Sequence, residues 1–563
     1  MSAYCPADMT ADTGPAAPSP HAFPDLCHAD PICRIDAEQT KLSIALAFAS
    51  GVSGGLFGDA LDRAKTAPST FHAPAFANDL FVSTFVASCF SVRIAGLDAI
   101  LSTKHLTRML TNPPSDPASV RHRREVLREL SEVPKLREAL EGLYAALCRF
   151  RGLLEGANAA GKWDSNRRQL DLLALAKEIF DRTTDDFADS KSGLSRLASF
   201  GARVQAGEPY RSLADLLKYD ENLATLDLKI GIGADGKIRG FRIVSVAQDA
   251  SNPFVGSTFQ KWMAKLELFL RGYSFGDGEI MARLIDAVFI GIEDDLAPLV
   301  QLLGDCELYL GALGFRDKAI AAGLAVCLPE LVSKDEPRVL EQLYNPLLLA
   351  TGTHLPCVPC DIRVDRHDAT VLVTGPNSGG KTRLLQSLGL SQLLAQSGLF
   401  VPAKSGRLAL APSLVVSLIQ ETRADQAEGR LGMELLRIRE LFEDLPPGAM
   451  VILDELCSGT NPSEGEEIFE LVLRMLSKLG PQTFITTHFL AFAGRLEREG
   501  DIDALRFLQV ELGSGQKPTY QFVPGVAETS LAGQAAERLG VTGTQLLSLV
   551  ERNIARANEG RTG

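Results

Sequence analysis

The apolar run Val371-Leu372-Val373 feeds the loop Gly375-Pro376-Asn377-Ser378-Gly379-Gly380-Lys381-Thr382. Leucines at 384, 385, 388 and 390 follow at helical spacing. Few local patterns constrain a fold as tightly as strand, glycine loop, Lys-Thr and helix. Gly375, Gly379 and Gly380 let the backbone wrap so that successive N–H groups converge on one point. A helix beginning near Lys381 adds its positive dipole end there. Lys381 supplies a point charge for β/γ-phosphates and Thr382 a hydroxyl for Mg²⁺, so the loop predicts a nucleoside triphosphate as ligand.

A chain of 563 residues exceeds a single core and suggests about three to four domains. Hydrophobic residues make up 45% and charged residues 23%, so most of the chain is expected to fold. The net charge of −13 argues against a protein that coats nucleic acid over its whole surface, yet leaves room for a local basic groove. Neither a signal-peptide pattern nor a run of 18 apolar residues is read, so no membrane span is expected and a cytoplasmic location is the simplest reading. Ten cysteines are scattered along the chain. Cys27 and Cys33 flank His28, and Cys357 and Cys360 form an isolated C-x-x-C. A zinc site needs four ligands, so both pairs are read as ordinary thiols.

Composition and periodicity divide the chain into four segments. Residues 1–77 read as a largely disordered tail with a short helix near Leu42 to Phe48. Residues 78–340 read as mainly helical, with Leu136, Leu140, Leu143 and Leu147 at helical spacing and a β-hairpin over 226–246. Residues 341–523 change to α/β: strands at 371–374, 414–419, 449–454 and 483–487 alternate with helices at 381–396, 433–444 and 464–479, which predicts a mostly parallel sheet. Residues 524–563 read as a helical tail. Arg121, Arg123 and Arg124 form a basic cluster, read as a solvated helix face or a phosphate contact.

Two further strand ends carry chemistry. Met450-Val451-Ile452-Leu453 delivers Asp454 and Glu455 at its tip, where α/β sheets place their reactions. Asp454 is expected to hold Mg²⁺, and Glu455 to orient and polarise an attacking water. Thr460 or Ser463 is expected to cap a helix beginning near 464. Phe484-Ile485-Thr486-Thr487 ends in His488, placed to contact a γ-phosphate or the water. Gln420 is a weaker candidate for Mg²⁺ or water contact.

The order GPNSGGKT, LDELCSGTNPSEG and ITTHF resembles the MutS family of DNA mismatch repair ATPases. Asn345-Pro346-Leu347 and Pro359-Cys360-Asp361-Ile362 resemble the segments leading into its ATPase domain. Leu110-Thr111-Asn112-Pro113 is similar to its helical core, and Pro524-Gly525 with Ser530 and Ala536 to its dimerisation tail. The resemblance implies an ABC-type P-loop ATPase C-terminal to a helical lever, with ATP and Mg²⁺ as ligands and a homodimer as the assembly. Residues 375–382 would bind nucleotide, Thr382 and Asp454 the metal, and Glu455 and His488 would be catalytic. No counterpart of the family's mismatch-reading domain or of its Smr domain is found in the sequence. The stretch Asp425 to Leu435 lacks the serine that members offer to a neighbouring subunit. Two function classes follow: a homodimeric ATPase coupling ATP state to DNA binding in repair or recombination (cytoplasmic, nucleoid-associated), or a nucleotide-switched scaffold that binds a protein and no DNA.

Overall fold

The computed structural model describes residues 23–50, 54–156, 165–223, 227–232, 238–245, 277–349, 357–418, 430–457, 461–528, 541 and 543–559. The chain forms two compact units, residues 1–65 with 125–308 and residues 66–124 with 309–563. These boundaries differ from cuts at 77/78, 340/341 and 523/524. Residues 66–124 join the second unit because their apolar side chains pack there: the ring of Phe85 meets Phe315 at 5.4 Å, and Leu80 lies against Gly389.

The first unit is helical. Leu136, Leu140, Leu143 and Leu147 fall on the buried face of the helix Pro134–Glu155, as their spacing predicts. The helix Ala37–Ser50 stacks Phe48 on Phe289 at 4.0 Å. The expected disordered tail is corrected from Phe23 onward. Helices occupy Ala37–Ser50 and Leu56–Arg63, and Asp25, Leu26 and Cys27 are fully buried. Polar pairing makes that burial tolerable. Arg34 is paired with Asp305, whose other oxygen accepts the Leu26 N–H at 3.1 Å. Asp25 accepts from His28 Nδ1 at 2.9 Å. Strands Asp227–Ile232 and Ile238–Ser245 pair antiparallel; the turn 233–237 expected between them lies outside the described residues.

One helix, Asp277–Ala321, is long and apolar enough to cross a membrane over Met281–Ala321, but 94% of its most apolar stretch is buried inside the protein. A helix apolar all round and covered by protein is a core helix.

The second unit carries a six-stranded sheet. Its strands are β1 (Thr370–Thr374), β2 (Leu414–Ser417), β3 (Met450–Leu453), β4 (Gln482–Thr486), β5 (Leu505–Leu512) and β6 (Pro518–Pro524). They lie in the order β2-β3-β4-β1-β5-β6. All neighbours are parallel except β5 and β6. Every residue of β1, β3 and β4 is buried, so both faces of these strands are covered rather than one. Helix α1 (Lys381–Gln396) is buried at nearly every position. Two of its buried amides are bonded to backbone: Gln392 donates to Ala409 O at 3.0 Å, and Gln396 accepts from Ala411 N at 3.2 Å. Helix α2 (Pro462–Leu479) sets Phe469, Leu473 and Leu476 against Leu372, Val451 and Ile485 of the sheet. A smaller sheet of four strands contains Arg338–Leu343 and Cys360–Val364.

The basic cluster is also corrected. Arg123 is 1% and Arg124 8% exposed, so neither forms a solvated face. Arg123 Nη1 donates to Ser397 O at 3.4 Å, and its stem passes where a side chain on Gly398 (φ +74°) would stand.

Candidate active site

The tips of β1, β3 and β4 lie side by side, because β4 sits between the other two with Phe484 opposite Val371 and Ile485 opposite Leu453. Register therefore sets the residues that follow each strand at one edge of the sheet: Gly375 to Thr382 after β1, Asp454 and Glu455 after β3, and Thr487 and His488 after β4. Ligands in open α/β sheets bind at such an edge, outside the carboxyl ends of the strands.

The loop is built on left-handed glycines. Gly375 has φ +136° and Gly380 φ +88°. A Cβ on Gly375 would stand 2.7 Å from Val510 Cγ2, and one on Gly379 would stand 2.8 Å from the same atom. The loop thus lies directly on β5, and its turn closes through the Gly379 N–H to Pro376 O at 2.9 Å. Gly380 caps the N-terminus of α1.

Lys381 is 4% exposed. Its Nζ donates to Gly375 O at 2.8 Å and Pro376 O at 3.2 Å, with Asn377 Oδ1 at 3.5 Å. Burial pushes its pKa below the ordinary lysine value, against the opposing pull of Glu455 and Asp454. Thr382 is exposed, and its Oγ1 donates to Asp454 Oδ2 at 2.7 Å. The other oxygen of Asp454 accepts from Thr486 Oγ1. Thr486 in turn accepts the Glu455 N–H at 2.9 Å. Glu455 and Cys457 hold left-handed backbone, at φ +51° and +60°, uncommon for residues with side chains.

His488 is exposed beside Phe489, with ring centroids 4.2 Å apart. Ser378 and Asn377 are exposed on the loop, while Pro376 is buried. The expected cap at Thr460 or Ser463 is corrected: α2 starts at Pro462, and Asn461 Oδ1 accepts the Ser463 N–H at 3.2 Å. An asparagine before Pro at N1 is the better-placed acceptor. Thr460, Gln420 and Asp425 to Gly429 lie outside the described residues. Thr486 is the site residue that the sequence reading passed over. Its signal was a buried hydroxyl at the end of a strand, immediately before Thr487-His488.

The two cysteine pairs form no four-ligand site among the described residues. Cys360 is buried and Cys33 exposed, while Cys357 Sγ donates to Asn345 O at 3.8 Å.

Residues 371–559 match the family model for MutS domain V. This segment is similar to a MutS domain V. The match takes in all six sheet strands apart from the first residue of β1, and continues through the C-terminal helix Gly543–Glu559. Similar proteins include the endonuclease MutS2 of Thermus thermophilus, 35% identical over 238 residues, covering 41% of this chain and 30% of that protein. The endonuclease MutS2 of Ligilactobacillus salivarius is 29% identical over 260 residues, 46% of this chain and 32% of that one. That of Thermomicrobium roseum is 31% identical over 292 residues, 50% and 34% respectively. The chain thus spans about a third of the length of these MutS2 relatives.

Proposed function

We propose that the chain is a Mg²⁺-dependent P-loop ATPase of MutS type that couples nucleotide state to DNA binding as a homodimer, in repair or recombination. The observation that carries this reading is the grip on Asp454. One of its oxygens is held by Thr382 of the glycine loop and the other by Thr486 of the neighbouring strand. A hydroxyl and a carboxylate oxygen 2.7 Å apart are the hard donors that Mg²⁺ takes.

Residues 375–382 would hold the phosphates: Gly375, Pro376, Asn377, Ser378, Gly379 and Gly380 through the loop backbone, and Lys381 through its ammonium. Thr382 and Asp454 would hold the metal. Mg²⁺, when bound, neutralises charge on the phosphates. Glu455 would orient and polarise the attacking water, and His488 would contact the γ-phosphate or that water. Exposed Leu546, Leu547 and Val550 on the C-terminal helix support a role for that helix in dimerisation. A cytoplasmic, nucleoid-associated location goes with DNA binding. The nuclease in the relatives' name is not carried over. Among the described residues the one group of three His, Cys, Asp or Glu side chains with metal-ligand spacing is Asp25, Cys27 and Asp305, and Arg34 already pairs with Asp305.

The test of the ATPase reading is phosphate release with and without Mg²⁺, in the unaltered chain and in Lys381→Ala. Release by the first and loss of nucleotide binding in the second support it. A chain that binds no nucleotide, or a variant that still binds it, contradicts it.

A nucleotide-switched protein scaffold is the second reading, favoured by the net charge of −13 and the burial of Arg123 and Arg124. Binding to duplex and branched DNA across a salt series, with ATP present, separates the two. A DNA binder loses affinity along a log–log slope set by its phosphate contacts. Absence of binding at low salt leaves the scaffold.

A further inference from the structure

We infer that Thr486 is a positioning residue that sets both acids of the site at once, an inference that rests on the ATPase reading above. Thr486 is fully buried at the end of β4, in register with Val373 of β1. Its one proton goes to Asp454 Oδ1 and its lone pair takes the Glu455 N–H at 2.9 Å. A single hydroxyl therefore joins the side chain of one acid to the backbone of the next.

Each half of that bridge has a separate consequence. On the side-chain half, Oδ1 is fixed by Thr486, so the carboxylate plane is fixed and Oδ2 is the oxygen turned to Thr382. Without the Thr486 hydroxyl, rotation about the terminal carboxylate torsion is soft. On the backbone half, the chain leaves β3 through Asp454, whose N–H is still in the sheet on Ser417 O at 2.9 Å. It then turns at once into left-handed conformation at Glu455. Such a turn persists in a non-glycine residue only when its surroundings over-determine it. The bond from the Glu455 N–H to Thr486 is the contact that does so, and it fixes the point from which the Glu455 side chain departs. Thr486 is fully buried and its hydroxyl bonds to the two acids, so its effect runs through them.

Thr486→Val keeps the branched shape and removes the hydroxyl, whereas Thr486→Ser keeps the hydroxyl and removes the methyl. Nucleotide affinity is measured with EDTA and with Mg²⁺, beside kcat and KM. In Thr486→Val, affinity in EDTA should match the unaltered chain. The gain in affinity on adding Mg²⁺ should shrink by ~10–100-fold, the usual effect of losing an outer-shell partner. Turnover should fall by a similar factor, KM should rise with the weaker affinity for the Mg²⁺-nucleotide, and Thr486→Ser should restore all three. An unaltered Mg²⁺ gain and kcat in Thr486→Val overturns the inference. So does a serine variant that fails like the valine one, or a valine variant that loses binding in EDTA, since either assigns Thr486 to packing. If the unaltered chain hydrolyses no ATP, the ATPase reading itself fails, a result distinct from an indifferent Thr486.

Discussion

The hydroxyl of Thr382, the first residue of α1 after Lys381, donates to Asp454 Oδ2 at 2.7 Å, which ties the glycine loop to the tip of β3. The pair brings together residues 72 positions apart in the chain. Removing the hydroxyl in Thr382→Val should leave nucleotide binding in EDTA near that of the unaltered chain. The further gain from Mg²⁺ should drop by ~10–100-fold. Thr382→Ser should retain it. Calorimetric titration of nucleotide with and without Mg²⁺ makes the comparison.

Gly375 leaves β1 at φ +136° with Val510 where a side chain would begin. Gly375→Ala must therefore strain the backbone and displace Val510 or the loop. The strain is on the order of 1–3 kcal/mol, and it should appear as lower stability in urea unfolding. Nucleotide affinity should fall as well, since the loop cannot keep its path over β5. Unchanged affinity would show that the loop's shape is not what binds.

Asn461 is the cap of α2, the helix whose Phe469, Leu473 and Leu476 close one face of the sheet. Asn461→Ala removes the acceptor of the Ser463 N–H and should cost about 1 kcal/mol. Asn461→Asp should keep the cap. Equilibrium unfolding of both variants checks this.

His367 gives the fold a pH dependence. It is 2% exposed, its Nδ1 donates to Glu336 O at 2.8 Å, and its Nε2 accepts the Ala409 N–H at 3.0 Å. That arrangement needs the neutral ring. Burial, and then the charge of Arg338, lower its pKa to about 4. Above pH 6.5 both folded and unfolded chains hold the ring neutral, so it does not bear on stability. Between 6.5 and about 4 the unfolded chain takes up a proton that the folded one refuses, and stability falls with pH. The loss reaches up to about 3 kcal/mol at the acid end. Urea unfolding at pH 7 and pH 5 should show it, and His367→Gln should flatten that slope. An identical slope in the variant would place the effect elsewhere.

How far the sequence could be read depended on the range of the interactions. Strand and helix positions in the second unit follow from local pattern: Val371 to Val373 and Val451 to Leu453 are apolar because both faces of a parallel strand are covered. The loop was legible because Gly375 and Gly380 answer a backbone demand that glycine meets best. Arg123 was not legible, because nothing near it in sequence announces Gly398, the gap into which it fits. The buried segment at Asp25 to Cys27 was missed for a similar reason. Its polar composition reads as tail until Asp305, 279 residues from Leu26, supplies the partner. Thr486 belongs to the same class, since a threonine in an apolar strand is ordinary until register sets it beside Asp454.

The most direct test of the account is single-turnover phosphate release by Glu455→Gln at saturating ATP and Mg²⁺, with nucleotide binding measured on the same sample. The account predicts binding like that of the unaltered chain and hydrolysis reduced by ~10²–10⁴-fold, the contribution typical of a positioned base. Hydrolysis at the unaltered rate would contradict it, because Glu455 would then not be the residue that prepares the water.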